Sequence, residues 1–169
     1  MLKLINNLKP FFEDCYRRIN VREYAKIIGV SPPTASSILN DYHEKNLLIR
    51  EAYRNNILFY ANKDSADFVD LSRLYWRHKL GDVVKFVENN IISPTIILFG
   101  SLSKAETKQD SDIDLAVFAH KKELKFDVFE KKLKRKIQVF WFASIKDIKS
   151  KDLASSIING YPIKGRIVL

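Results

Sequence analysis

Asp112 and Asp114 stand one residue apart at the head of the run Ser111-Asp112-Ile113-Asp114-Leu115-Ala116-Val117-Phe118. The apolar tail of that run reads as a buried strand. Side chains along a strand alternate with period two, so both carboxylates point to one face while Ile113 points into the core. Two carboxylates on one face suit a hard divalent cation. Mg²⁺ takes oxygen ligands and is usually held by one or two carboxylates plus substrate phosphates. Ten positions before Ser111 stands Ser101, preceded by Gly100, at the end of the short apolar run Thr95-Ile96-Ile97-Leu98-Phe99. Gly100 lets backbone approach a phosphate closely. The Ser101 hydroxyl and the backbone N–H groups of the helical turn that follows are donors for phosphate oxygens. The expected chemistry is a triphosphate lying between this turn and a metal.

These residues need a sheet to hold them. The runs 95–99 and 111–118 supply two buried strands, and Lys136-Ile137-Gln138-Val139-Phe140-Trp141-Phe142 reads as a third. Before them, Ser65 caps a helix through Phe68, Leu71, Leu74, Tyr75 and His78 to Leu80. Gly81-Asp82 interrupts it, and Val83, Val84, Phe86 and Val87 continue a helical pattern to about Asn90. After them, Asp147 to Gly160 reads as a helix burying Leu153, Ile157 and Ile158, and residues 161–169 as an extended tail.

The first third of the chain has a different organisation. Leu4, Leu8, Phe11, Phe12, Cys15 and Ile19 recur at helical spacing, which predicts a helix from Leu2 to Asn20. Asn20 with Glu23 makes a helix start resembling a capping box. Val21, Tyr24, Ala25 and Ile28 then form one apolar face. Gly29 suits the left-handed end of that helix, Ser31 an N-cap and Pro32 the first position of the next. Ala35, Ile38, Leu39 and Tyr42 face the core of this second helix. Residues 47–53 and 57–61 read as strands of a hairpin turning at Arg54-Asn55-Asn56. A helix-turn-helix followed by a hairpin is a winged helix, and Val21 to Ala61 resembles the winged helix of prokaryotic transcription regulators. The wording Val21-Arg22-Glu23-Tyr24-Ala25-Lys26-Ile27-Ile28-Gly29-Val30-Ser31 is similar to what those families carry. The polar break Asn62-Lys63-Asp64-Ser65 marks the expected boundary between a winged helix-turn-helix domain (1–64) and linker helices with a second domain (65–169).

That second domain also has a resemblance. Phe99-Gly100-Ser101, followed ten positions on by Ser111-Asp112-Ile113-Asp114-Leu115, resembles the nucleotidyltransferase signature of the polymerase-beta superfamily, in particular its minimal nucleotidyltransferases. The resemblance covers roughly Thr95 to Phe142. It implies an α/β (α+β) fold with a small mixed sheet and transfer of a nucleoside monophosphate from an NTP to an acceptor. By the same resemblance Asp112 and Asp114 are catalytic and metal-binding, Gly100 and Ser101 nucleotide-binding, and the cofactor Mg²⁺ in a two-metal site, with Mn²⁺ as a substitute. Two positions depart from the family. Ala105 stands where a glycine is common. Gln138 stands where active members carry a third carboxylate, and an amide cannot accept the nucleophile's proton at neutral pH. Asp127 and Glu130 are near in sequence but fall on the preceding helix. Two readings therefore stay open. One is a Mg²⁺-dependent transferase fused to a DNA-binding domain. The other is a transcription regulator or antitoxin-like protein whose transferase domain is a degenerate nucleotide- or partner-binding module.

On the helix after Ser31, Thr34, Ser36, Ser37, Asn40 and His43 face outward as DNA-reading candidates. Arg22, Lys26, Lys45, Arg50 and the wing residue Arg54 are candidates for phosphate contacts. The other use of such a module is dimerisation or protein contact. Composition agrees with an anionic partner: the 169-residue chain carries 29 Lys+Arg against 20 Asp+Glu, a net +9. The densest basic run, Lys131 to Lys136, reads equally as a contact for that partner or as the solvated face of a helix end. The three histidines lack metal-ligand spacing, and the single cysteine excludes an internal disulfide. No apolar run reaches the ~18 residues of a membrane helix. A cytoplasmic protein that binds NTP and double-stranded DNA, with a protein partner or a second copy and no membrane, is the expectation.

Overall fold

A computed structural model describes residues 2–166. The chain forms two compact units. One comprises the residues up to Tyr75 together with Ala105–Gln109, the other Trp76–Lys104 together with the chain from Asp110 onward.

In the first unit, α1 (Leu2–Glu13) is followed by a two-residue strand β1 (Ile19–Asn20), α2 (Val21–Ile28), α3 (Pro32–Glu44), β2 (Leu48–Tyr53) and β3 (Asn56–Ala61). The caps are where the residue types place them. The Asn20 side chain accepts from the Glu23 N–H at 2.9 Å, and Gly29 ends α2 at φ 70°. Ser31 accepts from the Thr34 N–H, with Pro32 opening α3. Glu23 does not complete a capping box: its carboxylate pairs with Arg17 at 2.6 Å. The three strands form an antiparallel sheet in the order β1-β3-β2.

The first helix ends well short of Asn20. Asp14 starts a turn, its side chain accepting from the Tyr16 N–H at 3.0 Å, and the Cys15 N–H donates to the Thr107 carbonyl at 2.8 Å. Released from the helix, Ile19 pairs with Phe59 in the sheet and is fully buried there. The helical spacing of Ile19 was coincidental, because burial in a short edge strand needs the same apolar side chain.

The division between units also differs from the polar break at 62–65. Asn62 and Ser65 do form a turn. The helix beyond it, α4 (Ala66–Lys79), nevertheless contributes Phe68 and Tyr75 to the first unit, where their rings lie 5.1 and 5.3 Å from that of Phe12. Tyr75 also hydrogen-bonds Glu13.

The second unit holds the end of α4, α5 (Gly81–Asn90), β4 (Thr95–Phe99), β5 (Ile113–Phe118), α6 (Asp127–Leu133), β6 (Ile137–Phe142), α7 (Lys151–Ile158) and β7 (Tyr161–Lys164). Its sheet runs β6-β5-β4-β7, with β5 and β6 parallel and the other pairs antiparallel. This is the mixed sheet of an α+β fold. The parallel pair requires a crossover, which α6 provides. Ile97, Phe99 and Ala116 on one face cluster with Ile148 and Ile157, and Phe118, Phe140, Phe142 and Leu153 pack against them. Ile96, Leu98, Leu115 and Val117 alternate with those positions and are also buried. Both faces are therefore covered, which explains the apolar wording of β4 and of β5 beyond Asp114. Of the expected tail helix, α7 keeps Ile157 in the core and leaves Ile158 exposed, one position around the helix. Residues 167–169 of the expected extended tail lie outside the described residues.

Candidate active site

The strand register brings the candidate residues of the second unit together. Phe99 at the end of β4 lies opposite Asp114, and Asp114 lies opposite Gln138. Asp112 immediately precedes β5 rather than lying within it, and Ile113 between the two aspartates is fully buried. Alternation thus places Asp114 and Gln138 on the sheet face of Phe140 and Phe142, as the period-two spacing predicts.

Gly100 follows β4 directly. Its φ of 70° is left-handed, and a Cβ there would collide with the Asp114 carboxylate. The dihedral and the nearness of the Asp114 carboxylate both favour glycine at this position. The 3-10 turn Gly100–Lys104 follows, closed by the Ser103 hydroxyl donating to the Gly100 carbonyl at 2.9 Å. Ser101 is half-buried at its start. Ala105, at the family's glycine position, is buried with φ 54°. The conformation that favours glycine is kept there without it.

Asp112 and Gln138 touch: the Gln138 amide Nε2 donates to Asp112 Oδ2 at 2.6 Å. Burial, and secondarily the negative charge of Asp112, push Asp114 up from 3.8 to about 6. That raised value has a thermodynamic consequence. In the unfolded chain Asp114 keeps its ordinary value, so folding favours its protonated form. The stability it contributes is complete below about 3.8 and is lost as pH rises through about 6. In chelator, the native chain should therefore melt higher at mildly acidic pH than at pH 7, as far as this group governs it. Asp114→Asn should raise the melting temperature at pH 7 and flatten that part of the pH profile. Parallel profiles for the two proteins would show that Asp114 is not destabilised in the native fold.

The donor set suits a cation. The Asp114 carboxylate fills the room that Gly100 leaves by lacking a Cβ, Asp112 is near enough to act on its charge, and an apposed pair of carboxylates is relieved by a bound positive charge. Among the described residues no group of three or more His, Cys, Asp and Glu is assembled, and the residue opposite Asp114 on β6 is the amide Gln138. Residues 82–163 match the family model described as polymerase beta, nucleotidyltransferase. The nucleotidyltransferase match begins in α5 and ends in β7, so it takes in the whole four-stranded sheet, the Gly100-Ser101 turn and both aspartates. No curated protein matches the chain.

Sequence reasoning missed one residue of the second unit. Within the basic run, Arg135 is only 8% exposed, and its guanidinium donates to the Ser111 carbonyl at 2.6 Å. Reading the run as one solvated face hid it. The signal available was its position two residues after Leu133, at the point where helical spacing gives way to strand alternation.

The DNA-reading candidates belong to the other unit. Thr34, Ser37 and His43 are exposed on α3, and Ser36 and Asn40 half-buried. Thr34 is hydrogen-bonded to Ser31, the Asn40 amide donates to the Ser36 carbonyl at 2.9 Å, and His43 Nδ1 meets the Leu48 carbonyl. Arg54 is exposed on the β2–β3 turn at φ 52°, its guanidinium over the Tyr53 ring. Among the described residues no helix is long and apolar enough to cross a membrane.

Proposed function

We propose that the second unit is a Mg²⁺-dependent nucleotidyltransferase, transferring a nucleoside monophosphate from an NTP to an acceptor. The observation that carries the reading is the apposition of the Gly100 turn to Asp114, and of Asp112 to Asp114, in a sheet that matches the nucleotidyltransferase family. Asp112 and Asp114 would hold the metal, with Mn²⁺ as a substitute. Bound there, the cation would neutralise phosphate charge and stabilise the attacking and leaving oxygens. Gly100 lets the backbone approach a phosphate-bearing ligand closely, and the Ser101 hydroxyl and the backbone N–H groups of the 3-10 turn would orient it. The acceptor oxygen bonds to the α-phosphorus as the bond to the β-phosphate breaks, and pyrophosphate departs. Gln138 cannot take the acceptor's proton, which leaves to water or to a phosphate oxygen.

A second reading has its own observation. The Gln138 amide lies opposite Asp114 and occupies an Asp112 oxygen, which favours a regulator or antitoxin-like protein in which the domain binds a nucleotide or partner without turnover. Incubation with α- and γ-labelled NTP, Mg²⁺ and cell extract separates the two. Transfer of the α label alone supports the enzyme. NTP binding without transfer supports the degenerate module.

The first unit fits a winged helix that binds duplex DNA, with α3 reading bases and Arg54 on the wing contacting phosphate. The elements α2, α3 and the β2–β3 hairpin follow one another as that module requires, and the basic excess suits a polyanion. Binding by the full chain should weaken steeply with salt, because each neutralised phosphate releases counterion. Asn40→Ala should reduce sequence preference more than Arg54→Ala does, and Arg54→Ala should mainly lower the salt slope. Absence of binding at low salt would leave this module to dimerisation or protein contact. A fragment ending at 64 is a poor probe, since it strips Phe68 and Tyr75 from Phe12.

A further inference from the structure

The geometry points to Arg135 as a positioning residue that fixes Asp112 for its cation. The inference rests on the reading of Asp112 and Asp114 as a metal site.

Asp112 lies outside β5, so the strand ladder alone does not hold it. What holds it is the chain entering β6. Three consecutive residues, Ser111, Asp112 and Ile113, are each bonded to that short segment. The Arg135 guanidinium Nη1 donates to the Ser111 carbonyl at 2.6 Å, the Gln138 amide to Asp112 Oδ2 at 2.6 Å, and the Lys136 carbonyl accepts from the Ile113 N–H at 2.8 Å. Of these three, the guanidinium is the one contact made by a charged, buried side chain. A hydrogen bond from a charged donor is shorter and stronger than a neutral one.

The guanidinium is itself fixed. Its carbon lies 5.4 Å from the centroid of the Trp76 ring, which is fully buried, and the Lys79 ammonium lies 4.8 Å from the same ring. An indole face attracts cations at this range. Upstream, the Arg135 N–H donates to the Glu130 carbonyl across the left-handed Lys134 that ends α6. The helix end turns Lys134 outward and Arg135 inward, which separates one buried arginine from an otherwise exposed basic run. Removing it leaves the Ser111 carbonyl without this donor and frees the Asp112 segment on one side.

Charge and position predict opposite signs, and this makes the inference testable. Arg135 is a cation near a cation site. Were its role electrostatic, removing it would tighten Mg²⁺ binding. As a positioning residue, its removal should loosen binding, and groups that orient metal ligands typically cost ~10–100-fold in affinity when mutated. The experiment is a Mg²⁺ titration at fixed ATP on the full chain, read by melting temperature, for the native protein, Arg135→Met, Arg135→Lys and the exposed control Lys131→Met. The expected result is a Mg²⁺ midpoint raised about tenfold or more in Arg135→Met, raised less in Arg135→Lys, and unchanged in Lys131→Met. Millimolar guanidinium should restore part of the loss in Arg135→Met. Amide exchange at Ile113, measured in chelator, should be faster in Arg135→Met than in the native chain. An Arg135→Met protein that melts lower in chelator, yet keeps or lowers its Mg²⁺ midpoint, would show a purely structural arginine and overturn the inference. If Arg135→Met does not fold, Arg135→Lys decides alone, an unchanged midpoint again overturning it. Absence of any Mg²⁺-dependent shift in the native chain would overturn the metal site itself, and this inference with it.

Discussion

Asp112→Asn combined with Asp114→Asn should abolish the rise in melting temperature that Mg²⁺ plus NTP is expected to produce in the native chain. A ligand that binds only the folded state stabilises it by RT ln(1 + [L]/Kd), about 2.7 kcal/mol at a hundredfold excess over Kd. For a chain of this size that is a shift of roughly 5–10 °C. In the proposed site both carboxylates hold the metal, so losing them should remove nearly all of the shift. The double variant also carries its own control. Asp114 is destabilised by burial and by Asp112, so neutralising the pair should raise the melting temperature in chelator. Higher stability without ligand and no response with ligand cannot both come from damaged folding. Transfer of α-labelled nucleotide should be lost in the same protein. A full ligand shift in the double variant would place the nucleotide elsewhere.

Gln138→Asp is the complementary gain. The register sets residue 138 opposite Asp114, and its side chain already reaches Asp112. An aspartate there replaces a donor amide by a third carboxylate. Without metal, the substitution trades an attraction to Asp112 for a repulsion, so the melting temperature in chelator should fall. With Mg²⁺, the added oxygen ligand should tighten binding, and the stability difference should shrink or reverse. General-base catalysis typically contributes ~10²–10⁴-fold, so transfer that is slow with Gln138 should become readily measurable. The comparison is made on initial rates of α-label transfer, beside the Mg²⁺ titration. A variant with unaltered stability in chelator and unaltered Mg²⁺ midpoint would mean that residue 138 has no part in the site.

The elements that the sequence determined are those specified by residues close to one another along the chain. Asn20, Ser31 and Gly29 cap helices through groups within a few positions, so α2, α3 and their turn were legible from spacing. The strands at 95–99 and 113–118 were legible because burial on both faces leaves an apolar run, broken in the second only by Asp114, beside Gly, Pro or Asp punctuation. The candidate site was legible for the same reason: Gly100, Asp112 and Asp114 each sit at a strand end, and period-two alternation places Asp114 and residue 138 on one face once the strands are known.

Tertiary structure decided what depends on distant partners. Ile19 has the spacing of a helix residue and becomes a strand residue because Phe59, forty positions on, is its pair. Phe68 and Tyr75 belong to the first unit because Phe12 is there to receive them. Arg135 reads as one more surface cation until the Ser111 carbonyl and the Trp76 ring draw it inside. The contact between Gln138 and Asp112 follows only from β6 lying parallel to β5, which the crossover through α6 sets and no local pattern encodes. Local hydrogen bonds and periodicity name an element. Which side chains it buries, and against what, is decided by the elements that pack upon it.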